Sequence, residues 1–498
     1  MFEELTPTEK VARHGAVSKY LILLVAWLGS GLFATVLCIG AVFYHLWHKI
    51  TGEEKFNVPG EEEYKANGYV PRKAFANLEN MKPSKDLRYY ALELGLDLEE
   101  YSITTEDGYV LTLHHLIDPK ETVLSRQTKK PILLQHGLLS CSGAYLTTGR
   151  NSLAYYLQEE GYDVWMGNNR SWFEPKHTYL EGNLLHNEEY WDWDIRELAY
   201  YDLPAIIENV LSHKPHHEKL VLVGHSQGCC QSFLLLKNGN LSAFHDKIEY
   251  FFPLAPAVFP GVSFHDRGFI RFIHNRGPLA YKLWFGCCSF MRTLSQVRFY
   301  LATTRFYGFM TYVMFKFLFG WTAKKWGKNK KVWHFCFIFN VTYVSAKLMN
   351  WWLSFYIEDG FSNQVRPRKD YKTGANYKFV ENTQETEKEK ASKTFFPFKQ
   401  SWFDYSETTV PMVIFVGDED YLVDGKRLVT HMRHYEPKYE EGRNLDIVEI
   451  EGYNHVDVVW AEDLIGIIGM VITKKLKSLG EITETSPDAE KTVRSESN

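Results

Sequence analysis

Cysteine is scarce. The 498-residue chain has seven, an odd number, and two pairs are adjacent, Cys229/Cys230 and Cys287/Cys288. That pattern does not build a disulfide framework. No cysteine–histidine spacing of the zinc type is present either. Charge of one sign is also missing: Lys and Arg total 56 against 61 Asp and Glu, a formal net charge of −5. Nothing in that balance favours a nucleic acid as partner. There is no internal repeat.

What is abundant is apolar and aromatic. Hydrophobic residues make up 45% and aromatic residues 15% of the chain, with 30 Tyr, 33 Phe and 14 Trp. A large core accounts for this, and so does an apolar ligand or a membrane-facing surface; composition does not separate the two. The length fits one large domain with insertions, or two to three ordinary ones.

One run has no charge at all. Tyr20–Tyr44, "YLILLVAWLGSGLFATVLCIGAVFY", is 25 residues long. A helix of that length crosses a hydrocarbon core of about 30 Å. It is too long for a signal peptide and has no small-residue cleavage site. We expect a transmembrane anchor over 20–44, after a tail of 1–19. Lys10, Arg13 and Lys19 precede it, and Lys49 and Lys55 follow. The charge bias leans toward a cytosolic N-terminus. Sequons at Asn169, Asn240 and Asn340 do not decide the side.

Residues 45–85 are polar and mixed, as in a linker. Strand and helix patterns follow. "YSITTEDGYVLTLHHLI" from Tyr101 holds two β-rich runs around Asp107-Gly108, a hairpin pattern. "PILLQHG", "YDVWMGN", "KLVLVG" and "YFFPLAPAV" are short apolar runs of buried-strand type. "YYDLPAIIENVL" has helical spacing. "PMVIFVGDED" and "LDIVEIEGYNHV" are late strands that run into loops. The alternation predicts an α/β fold with a mostly parallel central sheet flanked by helices. Its core is expected over 86–259 and 394–478. Between them, 260–363 is aromatic. "FYLATTRFYGFMTYVMFKFLFGW" is interrupted by Arg305 and Lys316 and predicts a helical cap, with an interfacial helix or a second span as alternatives. Residues 364–393 are charged and apolar-poor and predict a surface loop; 479–498 predict a disordered tail.

"GHSQG", Gly224–Gly228, fits G-x-S-x-G. By chance the pattern arises in about one chain in six of this length. Here it follows an apolar strand and opens an apolar helix. Such an elbow exposes its serine, and the flanking glycines Gly224 and Gly228 relieve the crowding. A serine nucleophile needs a base, and the base an orienting acid. In an α/β-hydrolase both follow the serine, in loops after later strands. The loop "GYNHVDVVW" offers His455. The loop "GDEDYLVD" offers Asp418, Glu419, Asp420 and Asp424. An oxyanion hole needs two backbone N–H donors. We expect these from Gln227, just after the serine, and Leu138, in the loop after "PILLQHG".

The blocks "TTEDGYVLTLHHL", "LLQHGLLSCSGAYL", "YDVWMGNNR", "YYDLPAIIENVL", "GHSQG", "GDEDYLVD" and "YNHVDVVWA" resemble, in order, the acid lipase family of α/β-hydrolases, which includes gastric and lysosomal lipases. Within it the chain is most similar to the membrane-anchored fungal steryl ester hydrolases. The resemblance spans roughly 88–470. It implies an α/β-hydrolase fold with a cap or lid insertion, and it selects Asp420 as the acid, with Asp418 and Asp424 as fallbacks. Serine-triad chemistry proceeds through an acyl-enzyme and needs no metal or organic cofactor. The resemblance further implies long-chain steryl esters as substrate. The partners it implies are a lipid ester and the surface of the plasma membrane, endoplasmic reticulum or a lipid droplet. The alternatives are a triacylglycerol lipase or general carboxylesterase, an acyltransferase, and an inactive lipid-binding membrane protein. The chain departs from the family at Ser171, where glycine is usual, and in the 364–393 insertion.

Overall fold

The computed structural model describes residues 5–11, 13–52, 64–65, 68–366, 385, 387, 390, 393–404 and 407–484. Eight strands form one sheet in the order β1-β2-β4-β3-β5-β6-β7-β8. They are β1 (Asp97–Thr104), β2 (Val110–Ile117), β3 (Pro131–Gln135), β4 (Asp163–Gly167), β5 (Leu220–His225), β6 (Ile248–Leu254), β7 (Met412–Gly417) and β8 (Leu445–Ile450). The β1–β2 hairpin is antiparallel and lies at one edge. β2 joins β4 antiparallel, and the neighbours from β4 to β8 are parallel.

Every residue of β3, β4 and β5 is buried. This is why their sequences are nearly continuous apolar runs: strands of a parallel sheet are covered on both faces. Side chains alternate between faces along a strand. Leu133, Trp165 and Leu222 join one core layer. Ile132, Leu134, Val164, Val221 and Val223 join the other.

Helices α1 (Ala16–Thr51), α2 (Leu153–Glu159), α3 (Leu203–Ser212) and α4 (Gln227–Lys237) precede β6. Among the described residues, six helices of seven or more residues lie between β6 and β7: α5 (Gly268–His274), α6 (Pro278–Phe285), α7 (Arg292–Leu301), α8 (Arg305–Phe319), α9 (Lys330–Ile338) and α10 (Ala346–Leu353). α11 (Gly425–Tyr435) joins β7 to β8, and α12 (Met470–Glu484) follows β8. The aromatic 260–363 stretch is therefore helical. Arg305 and Lys316 lie inside α8, and Lys316 is buried.

Among the described residues, α1 is the one helix long and apolar enough to cross a membrane, with a mean hydropathy of 2.3 over 18 residues. It extends beyond the expected 20–44 at both ends. The flanks differ more from expectation. The tail lies against the body that holds the sheet: Leu5 is buried, and Thr8 N–H donates to Glu197 Oε1 at 2.6 Å. The supposed linker of 45–85 begins as helix and ends in the core. Arg72 N–H donates to Asn151 Oδ1 at 2.9 Å, and Phe75, Leu78 and Met81 are buried. Local polarity hid these contacts because each partner is distant in sequence. Residues 479–484, expected to belong to the disordered tail, continue α12 as helix. Most of the charged 364–393 segment, and 485–498 of the tail, lie outside the described residues.

Candidate active site

The carboxyl ends of parallel strands are where α/β sheets collect their ligands. β5, β7 and β8 each deliver one side chain there. β5 runs straight into Ser226, which has φ 54° and ψ −113°. A serine at positive φ is strained by about 1–3 kcal/mol, so its neighbours must hold it. Its N–H donates to Leu254 O at 3.0 Å, and its carbonyl accepts from Ala257 N at 3.3 Å. Gly228 is obligatory: a Cβ there would sit 2.5 Å from Gln135 O and 2.7 Å from His136 O. At Gly224 a Cβ would meet Cys229 N at 3.0 Å.

Ser226 Oγ lies 2.7 Å from His455 Nε2. His455 Nδ1 lies 2.7 Å from Asp420 Oδ2. An ionised carboxylate only accepts, so the imidazole proton is on Nδ1 and Nε2 is free to accept from the serine. The other oxygen, Asp420 Oδ1, accepts from Leu422 N at 3.0 Å and Val423 N at 3.2 Å. The remaining acids named for this loop have other work. Asp418 Oδ1 accepts from Gly452 N at 2.7 Å and braces the β8 loop. Asp424 Oδ1 accepts from Arg427 N at 3.0 Å and caps α11. Glu419 donates its N–H to Tyr453 O at 3.1 Å.

Of the two expected oxyanion donors, Gln227 directly follows the serine and Leu138 follows a glycine that passes beside it. Gln227 is the first residue of α4, so its N–H has no partner within the helix. Leu138 follows Gly137, whose added Cβ would lie 3.1 Å from Ser226 Cβ and 3.0 Å from His225 Nδ1. A side chain at 137 would press on the nucleophile turn, and glycine lets the β3 loop pass this near it. His136 links loops instead of facing substrate: Asn169 N–H donates to its Nε2 at 3.2 Å. Burial lowers His136 to about 4, so the ring is neutral and accepts there. Asn169 is itself fully buried and accepts from Gln135 Nε2 at 2.8 Å.

Several contributors were not singled out from the sequence. His225 lies on the nucleophile turn, and its Nε2–H donates to the carbonyl of His455 at 3.0 Å. Trp321 stacks over the His455 ring, 5.9 Å between centroids and 15° between planes. Trp352 Nε1 donates to Gln227 Oε1 at 3.1 Å. Both tryptophans come from the β6–β7 insertion, and aromatic content alone could not say which rings reach the site. With that insertion in place Ser226 is 7%, His455 3% and Asp420 8% exposed. Farther out, Arg170 ties the β4 loop to Asp202, with its Nε 2.8 Å from Asp202 Oδ1. It also reaches Asp107 Oδ2 at 2.7 Å, in the β1–β2 turn. This explains why the "NNR" block carries an arginine.

A hydroxyl held by a neutral imidazole, with a carboxylate behind, is a set for nucleophilic attack on an acyl carbon. Known proteins agree with that class. Residues 87–149 match a family described as a partial alpha/beta-hydrolase lipase region. Residues 130–240 match the alpha/beta hydrolase fold. The chain is 33% identical to Sterol esterase 2 of Saccharomyces cerevisiae over 451 residues, 86% of this chain and 78% of that protein. It is 28% identical to Lipase 1 of Drosophila melanogaster over 406 residues, 79% of each. It is 36% identical to Lysosomal acid lipase/cholesteryl ester hydrolase of Macaca fascicularis over 181 residues, 36% of this chain and 43% of the relative. With the sheet, the family matches and a third of its residues identical to a sterol esterase across most of both proteins, the chain belongs to the acid lipase family of α/β-hydrolases and is a carboxylic ester hydrolase.

Proposed function

We propose that this enzyme is a membrane-anchored hydrolase of long-chain steryl esters, acting through Ser226, His455 and Asp420. The single observation that carries the chemistry is the pair of 2.7 Å contacts joining the three side chains. Ser226 Oγ attacks the ester carbonyl while His455 Nε2 takes its proton. Asp420 stabilises the imidazolium that forms. Backbone N–H groups of Leu138 and Gln227 bind the oxyanion. The tetrahedral intermediate then expels the sterol oxygen, which takes the proton from His455. Water, deprotonated by the same imidazole, attacks the acyl-enzyme; the imidazolium returns that proton to Ser226 Oγ as the acyl–oxygen bond breaks and the fatty acid leaves. No step calls for a metal or an organic cofactor.

The substrate class is supported by the similarity to Sterol esterase 2 and by the aromatic insertion over the site. That insertion acts as a cap, spanning 260–363, that opens to admit an apolar ester. The apolar α1 holds the enzyme at a lipid surface, where its substrate partitions: the plasma membrane, the endoplasmic reticulum or a lipid droplet. The relative named a lysosomal acid lipase/cholesteryl ester hydrolase supports the same substrate class. The similarity to a protein named Lipase 1 supports, as the second reading, a triacylglycerol lipase or general carboxylesterase with the same machinery.

The test presents cholesteryl oleate and triolein separately, in the same mixed micelles, to membranes containing the protein. Release of oleate from the steryl ester that disappears in Ser226→Ala supports the substrate and the triad together. Hydrolysis of triolein alone overturns the substrate and keeps the mechanism.

A further inference from the structure

The apolar helix is expected to cross the membrane, yet both of its ends are tied to the same body. Before it, Val11 N–H donates to Asp192 Oδ2 at 2.7 Å, Arg13 pairs with Glu189 at 2.6 Å, and His14 N–H donates to Glu188 Oε2 at 3.0 Å. After it, Tyr64 Oη–H donates to Glu462 Oε2 at 3.1 Å, and Tyr69 Oη–H donates to Asn151 Oδ1 at 3.0 Å. A 36-residue helix is about 54 Å long at 1.5 Å per residue. A bilayer crossed by that length would separate these two sets of contacts on opposite sides.

The helix also touches protein along its length. Tyr20 meets His186 edge-on. Trp27 Nε1 donates to Gln296 Oε1 at 3.1 Å, on α7. Phe33 stacks on Phe272 of α5 at 5.0 Å. Gly40 lies against Phe317 of α8, where an added Cβ would sit 3.1 Å away. His45 meets Phe309 of the same helix. These contacts recur from the first turns to the last, so the helix lies along α5–α8.

Its other side is bare. Leu21, Leu28, Leu32, Ile39, Phe43 and Ile50 are exposed, at spacings that put them on one outward stripe. The supporting helices carry the surface on. Val297 and Tyr300 are exposed and share a face of α7 with Thr293 and Gln296, which touch α1. A charge-free apolar stripe of this length, bordered by exposed aromatic rings, matches a lipid leaflet: acyl chains accept the stripe, and rings favour the headgroup boundary.

We propose that α1 lies along the cap helices as part of one apolar face that sinks into a single lipid leaflet, with both flanks of the helix on the same side of the membrane. The proposal rests on the membrane-bound reading above and specifies its geometry. It places the cap, and hence the entry to Ser226, directly against the leaflet that holds the ester.

The experiment uses the full chain, with one epitope tag at the N-terminus and a different one at the C-terminus, in sealed membrane vesicles. Alkaline carbonate extraction comes first, then protease with and without detergent. Retention in the membrane with both tags equally cleaved, or equally protected until detergent is added, is the expected result. Retention with one tag cleaved and the other protected overturns the geometry while leaving membrane attachment intact. Release by carbonate removes membrane attachment itself, and the proposal with it. A second measurement places cysteines at Phe33→Cys and Phe272→Cys and applies a short bifunctional maleimide to the same vesicles. An intramolecular link is expected. A link only between two chains would assign the face to a second copy and overturn the proposal.

Discussion

The imidazole of His225, immediately before Ser226, donates from Nε2 to the backbone carbonyl of His455 at 3.0 Å. The nucleophile turn and the histidine loop are thus joined through a side chain as well as through the Ser226–His455 contact. His225→Leu would leave a buried carbonyl unpaired, at a cost of about 1–3 kcal/mol. The expected outcome is a kcat lowered about tenfold with KM little changed, and largely restored in His225→Gln, which keeps a donor. Steady-state kinetics of the two variants check this.

Acid should loosen the same region. Burial and the neighbouring His455 lower His225 to about 3, from an ordinary 6.5, and burial lowers His136 to about 4. Between those values and 6.5 the unfolded chain binds protons that the folded chain does not. The stability tied to neutral rings is therefore complete above about 6.5 and is lost as pH falls, down to about 4 for His136 and about 3 for His225. The slope is about 1.4 kcal/mol per pH unit for each histidine. Urea unfolding at pH 7 and pH 5 should show this loss, and a smaller one in His225→Gln.

Backbone crowding at the elbow predicts a sharp contrast between glycines. In Gly228→Ala the new methyl would meet two carbonyl oxygens within 2.7 Å. The β3 loop must then move, and with it Leu138 and the oxyanion site, so kcat/KM should fall at least about 100-fold. Gly161 has φ +91° with nothing within 4 Å of an added Cβ. Gly161→Ala should cost only about 1 kcal/mol of stability through backbone strain and leave activity unchanged. Comparing kcat/KM with the thermal midpoint in both variants separates the two effects.

The Arg170–Asp202 pair has both side chains fully buried, at 2.7 Å. Removing one partner strands a buried charge. Arg170→Met should destabilise the fold by about 3–5 kcal/mol, whereas Arg72→Met, at a half-exposed pair with Glu159, should cost about 1 kcal/mol or less. Denaturant unfolding of both variants is the check.

What was legible in the sequence divides along physical lines. β3, β5 and β7 stood out because strands buried on both faces are continuous apolar runs. The turn holding Ser226 stood out because only glycine tolerates its neighbours. His455 was named from its place after a late strand, and it does meet Ser226. The acid was less legible. Asp418, Glu419, Asp420 and Asp424 are chemically alike, so the residues alone left them open and the family resemblance selected Asp420. In the fold Asp420 turns toward His455 while Asp418 and Asp424 accept from backbone N–H groups. Long-range contacts of short polar segments were invisible, as at Thr8 with Glu197. Sequons mislead for the same reason. Asn169 and Asn340 are buried, whereas Asn240 is exposed.

The most direct test of the central claim is covalent labelling of the full-length protein with a fluorophosphonate probe, followed by peptide mapping. The expected adduct is on Ser226, and it should be lost in His455→Ala, because the hydroxyl needs its base. No adduct on Ser226 in the native enzyme, or an adduct on a different serine, would contradict the assignment.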